Sequence, residues 1–152
     1  MGSEMCIRDR FFKVSAVDLY PIYAHNQDTQ NDLAILQIAD ATGLSATPLQ
    51  LHNNPNIFAG LRILSAGYPD DIDDGVQLYK SSDVVERLDG NIIRHRVDTY
   101  KGQSGSPLVT ADAPRQVVGI HTSGFDNQEL NHGCLIEGES KNWLLGKMVE
   151  HA

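Results

Sequence analysis

Until residue 140 the chain keeps no helical period. Its apolar residues come in short β-branched runs, each closed by turn residues within a dozen positions or so, and this spacing limits the fold more than any other feature. "FFKVSAVDLY" (residues 11–20) is apolar and β-branched enough to be a strand. "AHNQDTQN" follows as a polar turn region. "DLAILQIAD" then holds a nearly continuous apolar run, Leu33 to Leu36 with Ile38, as expected of a strand buried on both faces. Residues 41–56 are rich in turn formers without a period and read as a linker. "LRILSAGYPDD" is a short strand ended by Gly67, Tyr68 and Pro69. "VQLYKSSDVVERLDGNIIRHRVDT" predicts two or three strands with a turn at Asp89-Gly90 or Gly90-Asn91. "SPLVT", "QVVGIHTSG" and "NHGCLIEG" supply three more. Only residues 140–151 have helical spacing: Leu144, Met148 and His151 share a face, Trp143 lies beside it, and Ser140 is the expected N-cap. Many strands, one terminal helix and no βαβ alternation predict an all-β barrel or sandwich.

The bulk numbers narrow the function classes. A chain of 152 residues, 41% hydrophobic and 21% charged, suits one ordinary domain or two small packed halves. No apolar run approaches the ~18–20 residues that span a bilayer. The net charge of -8 comes without any lysine or arginine cluster, which argues against nucleic acid or an anionic membrane as partner. Cys6 and Cys134 do not make a disulfide framework, and Cys134 reads as a small buried core residue. His52, His95, His132 and His151 lack metal-ligand spacing, so no metal site is expected. The first ten residues, "MGSEMCIRDR", have neither a period nor the apolar centre of a signal peptide. "MCIRD" is what ATG-TGT-ATA-AGA-GAC encodes, DNA that resembles the transposon end used in sequencing libraries. Residues 1–10 are therefore expected to be a non-native, adapter-derived segment.

The stretch with chemistry in it is "DTYKGQSGSPLV" (residues 98–109). A serine hydroxyl is a weak nucleophile. It needs a base within hydrogen-bond reach and N–H groups aimed at the oxyanion it creates. Gly102 and Gly105 allow backbone torsions closed to other residues, so a tight turn can point the Gly102 and Ser104 N–H groups at one spot. By average composition, G-x-S-G-[SG]-P arises in roughly 3 of 10,000 chains of this length, too rarely for a chance glycine turn. A strand rather than a helix follows, which is the wrong context for an α/β-hydrolase elbow.

Here the sequence resembles a known family. "GQSGSP" is similar to the nucleophile loop of chymotrypsin-fold serine proteases, "NDLAIL" to the strand that carries their triad aspartate, and "VVGIHTSG" to the strand that lines their specificity pocket. Order and spacing agree, "AGYP" and the terminal helix fit, and the pattern is nearest that of bacterial glutamyl endopeptidases. The resemblance implies a double β-barrel with the first barrel incomplete: residues 11–45 a remnant of it carrying the aspartate, and residues 46–152 the second barrel with the nucleophile loop and C-terminal helix.

It also implies roles. Ser104 would be the nucleophile, and Asp32 would orient and stabilise the catalytic histidine. Gly102 and Ser104 would form the oxyanion hole, and Thr122, Ser123 and Gly124 would pair with substrate main chain. The family order is His, Asp, Ser, yet Asp32 has only 31 residues before it, and their one histidine, His25, lacks the family's sequence context. The catalytic histidine is thus expected to be absent and the chain, read as N-terminally truncated, to be nearly inactive. His121 and Thr99 match residues that bind a P1 glutamate in glutamyl endopeptidases, by charge-assisted hydrogen bonds to its carboxylate. Asp98 stands where trypsin-like enzymes bind a basic P1 residue, so that alternative stays open. Gln103 replaces the aspartate that pairs with a new N-terminus in animal trypsins, which argues against that activation route, and Lys101 replaces a common glycine. The resemblance implies a polypeptide substrate, no cofactor and secretion. A non-catalytic protease-like binding module is the alternative from another class.

Overall fold

The computed structural model describes residues 4–7, 10–40, 42, 47–53, 56–124 and 130–150. Strands β1 (Glu4–Ile7), β2 (Arg10–Leu19) and β3 (Ala34–Ile38) form one antiparallel sheet in that order. Between β2 and β3 lie the short helix α1 (Pro21–Asn26) and a 3₁₀ turn, Thr29–Asn31. The remaining strands are β4 (Gln50–Leu51), β5 (Arg62–Gly67), β6 (Tyr79–Asp89), β7 (Ile92–His95), β8 (Pro107–Thr110), β9 (Gln116–Gly124) and β10 (Asn131–Leu135), and helix α2 (Gly138–Glu150) follows. The order β10-β7-β6-β5-β8-β9 returns on itself because β10 also pairs with β9, giving a closed six-stranded barrel. Closure removes the free edges an open sheet would expose. β4 adds to β9 in parallel.

Alternation along the barrel strands sorts the core. Ile63, Val85, Ile93, Val97, Leu108, Val118 and Leu135 meet inside the barrel. Their neighbours Val109, Val117 and Cys134 face outward and pack with Tyr20, Leu33, Ile136 and Leu144. Strands β8, β9 and β10 are thus buried on both faces, which is why Leu108-Val109 and Val117-Val118 are apolar at consecutive positions. Each fully buried aliphatic side chain contributes about 1.5–3 kcal/mol. The second cluster joins the first sheet and α2 to the barrel, with Tyr20 and Trp143 ring centroids 5.2 Å apart.

The all-β reading, the turn at Gly90-Asn91 and the buried Cys134 agree with the structure. Four local expectations differ. Residues 4–7 showed no period but pair with β2, because a backbone ladder needs no apolar alternation. The polar turn region 24–31 holds the end of α1 and the 3₁₀ turn: Pro21 opens α1 with its φ already suited to a first turn, and α1 buries no residue, so no apolar stripe announces it. β3 is not buried on both faces. Among the described residues it pairs only with β2, and Leu36 (42% exposed) lies across from Val17 (52%). Ser140 is not the N-cap. The helix begins at Gly138, and the Ser140 hydroxyl turns back to donate to the Glu137 carbonyl at 2.9 Å. His151 lies outside the described residues.

Candidate active site

Ser104 sits on an exposed loop between residue 100 and β8, stitched to β9. The Gly105 N–H donates to the His121 carbonyl at 2.8 Å, the His121 N–H donates to the Ser106 carbonyl at 2.8 Å, and the Ser104 hydroxyl donates to the Thr122 carbonyl at 2.9 Å. Gly102 (φ +94°) and Gly105 (φ +91°) both take the left-handed torsions that a side chain resists.

The loop's amides divide into two sets. Gln103 N–H donates to the Tyr100 carbonyl, and Ser106 N–H to the Gln103 carbonyl. Among the described residues, the Gly102 and Ser104 N–H groups have no acceptor. The Lys101 carbonyl accepts from the Asp70 N–H at 2.8 Å. A trans peptide holds its C=O and N–H in opposite directions, so this bond turns the Gly102 N–H away from Asp70. Two unengaged donors flanking a serine hydroxyl are what an oxyanion requires.

Asp32 ends the 3₁₀ turn, which docks on the barrel through β10. The Asp28 carboxylate accepts from the Gln30 N–H and the Asn31 side-chain amide, and the Asn31 amide oxygen accepts from Asn91 at 3.4 Å. The Cys134 thiol donates to the Gln30 carbonyl at 3.2 Å. Burial raises the Asp32 carboxyl above the usual carboxylate range. Cys134 pairs with Ile120, two residues before the Thr122 carbonyl that holds Ser104, so β9 and β10 carry the surroundings of both residues. Among the described residues, Asp32 and Ser104 share no hydrogen bond. His25 lies on α1, exposed, and bonds neither of them.

His121 is 2% exposed and faces the equally buried His95, its Nδ1 3.4 Å from His95 Nε2. Burial pushes both imidazoles below their ordinary range, His95 to about 3, where the neighbouring His121 further disfavours its charge. The buried ring of His132 is lowered in the same direction, again mainly by burial. The sequence pattern assigns His121 a P1 role and gives His95 and His132 only a negative reading for metal spacing, so it misses the cluster. The signal was present: Ile93, His95 and Val97 alternate in phase, which points His95 into the barrel. Thr99 and Asp98 lie elsewhere, on the wall of a cleft of about 260 Å³ with Pro69, Ile72, Tyr79 and Gln103, and His121 does not line it. Residues 125–129, after the pocket strand, lie outside the described residues. Among the described residues no cluster of His, Cys, Asp or Glu is arranged to hold a metal ion.

Residues 7–120 match the family model for the trypsin-like peptidase domain. Among solved structures, the chain is similar to a Glu endopeptidase in complex with MPD (TM-score 0.80, 23% identity, covering 91% of this chain and 64% of that one). It is also similar to AL20, a thermostable serine protease from an extremophilic microorganism (0.71, 15%, 88% and 65%), and to the HtrA-type protease AlgW with a decapeptide (0.69, 22%, 97% and 44%). The chain spans less than two thirds of the length of each.

Proposed function

Since the chain belongs to the trypsin-like peptidases, we propose that Ser104 is the nucleophile of peptide-bond hydrolysis through an acyl-enzyme. The observation that carries this reading is the pairing of an exposed hydroxyl with two unengaged N–H donors on one glycine-bracketed loop. Ser104 attacks the scissile carbonyl and gives its proton to the base, and the Gly102 and Ser104 N–H groups hold the oxyanion. The base returns the proton to the amine as the C–N bond breaks. Water, deprotonated in turn by the base, then releases the acyl group as a carboxylic acid. Asp32 orients the base, and Thr122 to Gly124 take substrate main chain as an added strand. In this chain the hydroxyl meets a carbonyl oxygen and, among the described residues, no imidazole. Hydrolysis by the chain alone therefore falls to what the oxyanion hole and binding supply.

For the P1 residue we propose glutamate, held by His121 with Thr99. If His95 donates its Nε2–H to His121 Nδ1, the His121 proton sits on Nε2, leaving a neutral ring able to donate. An arriving carboxylate would then raise the pKa of that ring and strengthen the bond. The likeness to a Glu endopeptidase supports this choice. Against it, Thr99 shares its cleft with Asp98, the residue a basic P1 side chain would seek. We further divide the chain into residues 11–45 and 46–152, supported by the β2–β3 pair in one part and the barrel in the other, and keep residues 1–10 as a non-native segment, whose β1 pairs onto β2. Secretion rests on family resemblance alone, beside the finding that no described helix is long and apolar enough to cross a membrane.

The test uses a fluorophosphonate probe with and without added imidazole, which stands in for the base. Labelling should map to Ser104, rise with imidazole, and vanish in Ser104→Ala. A folded chain that stays unlabelled in imidazole would instead be a binding module. A peptide library cleaved under the same conditions separates glutamate from lysine or arginine at P1.

A further inference from the structure

The loop that aims the Gly102 and Ser104 N–H groups is held from within. Gln103 is 5% exposed, although it stands between two exposed residues. Its side-chain Oε1 accepts the Tyr100 N–H at 2.7 Å, while its own backbone N–H donates to the Tyr100 carbonyl at 3.1 Å. Residues 100 and 103 are thus joined twice, across the two residues whose shared peptide must face one way. On the outer side the Asp70 N–H holds the Lys101 carbonyl. Beneath the loop, Gln103 Cγ lies 3.3 Å from where a Cβ on Gly67 would stand, so the absence of a side chain there makes room for the amide. All these contacts are neutral, and each is made within the loop or with the residue 67–70 segment.

We infer that Gln103 is a positioning residue whose buried amide locks the oxyanion loop in its working conformation, so that the loop needs no charged partner to be competent. This rests on the reading of Gly102 and Ser104 as oxyanion donors. A peptide flip between residues 101 and 102 would swing the Gly102 N–H out of the hole. Such a flip must strain the doubly bonded turn and break the partly buried bond between the Tyr100 N–H and the Gln103 amide oxygen. Preorganised donors of this kind act without reorganising when charge develops.

The test compares the wild-type chain with Gln103→Met, which keeps shape but loses the acceptor, and Gln103→Glu, whose carboxyl oxygen can accept in either protonation state. Amide exchange followed by NMR should show the Tyr100 N–H protected in wild type and in Gln103→Glu, and about ten-fold faster in Gln103→Met with the barrel amides unchanged. Titration with the product carboxylates acetyl-Ala-Ala-Glu and acetyl-Ala-Ala-Lys should move the Gly102 and Ser104 amides of the wild-type chain with at least one of them. The apparent affinity should weaken about five-fold in Gln103→Met and recover in Gln103→Glu. Unchanged product affinity in Gln103→Met overturns the lock and leaves the oxyanion reading standing. If neither tripeptide moves those amides in the wild-type chain, the oxyanion reading fails and the positioning role with it. Should Gln103→Met not fold, wild-type exchange decides: a Tyr100 N–H exchanging as fast as an unprotected loop amide overturns the lock, and a protected one supports it.

Discussion

The Ser104 hydroxyl donates to the Thr122 carbonyl oxygen across 2.9 Å, which fixes the nucleophile loop against the strand proposed to receive substrate. That bond orients the hydroxyl, but a neutral carbonyl cannot take its proton. Replacing Ser104 with alanine loses one bond at an exposed position, so stability should change by no more than about 1 kcal/mol. The same change should abolish fluorophosphonate labelling. Urea denaturation and mass mapping check the two halves; a large loss of stability would mean that the serine is there for the fold.

Gly102 and Gly105 separate backbone strain from collision. Both have φ above +90°, but a methyl group on Gly105 meets nothing within 4 Å, whereas one on Gly102 runs into the Asp70 carboxylate and lies 2.8 Å from the Tyr68 carbonyl oxygen. Gly105→Ala should cost about 1–2 kcal/mol from torsion alone. Gly102→Ala should cost about 3 kcal/mol or more and displace the residue 68–70 segment. Denaturation midpoints of the two variants, measured side by side, give the difference.

The buried histidines should make the fold sensitive to acid. His95 is held down to about 3, and His121 and His132 are lowered as well. Above the unfolded value of about 6.5 both states are neutral and pH has no effect through these groups. Below it, the unfolded chain takes up protons that the native chain refuses, so stability falls as pH falls. The slope is about 1.4 kcal/mol per pH unit for each such histidine, continuing for His95 until pH nears 3. Asp32 acts oppositely: its raised pKa means that the native state takes up a proton first as pH drops. Urea midpoints at pH 7, 6 and 5 should show the decline, and His95→Leu should make it shallower by about one proton's worth.

Cys134 should be chemically silent in the native protein. Its thiol is 1% exposed, and burial, with the nearby Asp32 and Asp28 carboxylates, pushes it up to about 12 against the pull of a backbone hydrogen bond from Asp32. The reactive species is the thiolate, so iodoacetamide at pH 8 should leave Cys134 unmodified until the chain unfolds. Peptide mapping, which distinguishes it from Cys6, reads the result. Rapid native alkylation would mean that the 3₁₀ turn over the sulfur opens readily.

The strands of the barrel were legible in the sequence because their cause is local. Period-two alternation, β-branched runs and a Gly90-Asn91 turn belong to segments of 11 residues or fewer, and the glycine-bracketed Ser104 loop carries its own torsional requirement wherever it is placed. Strand partners are another matter. His95 meets His121, 26 positions later, only because β10 closes the ring between β7 and β9. The exposure of Leu36 follows from β3 having one neighbour instead of two, and the same apolar run in the barrel would have been buried. Thr99 and His121 read as one pocket along the chain, while only the folded chain sets Thr99 beside Asp98 in a cleft that His121 does not line. Gln103 could be seen as a departure from trypsins, but not that its side chain turns inward to hold Tyr100. A residue's own neighbours in sequence set its torsions and the direction of its face. What lies across that face depends on the order in which strands pair, and many orders are compatible with the same local pattern until the whole core is packed.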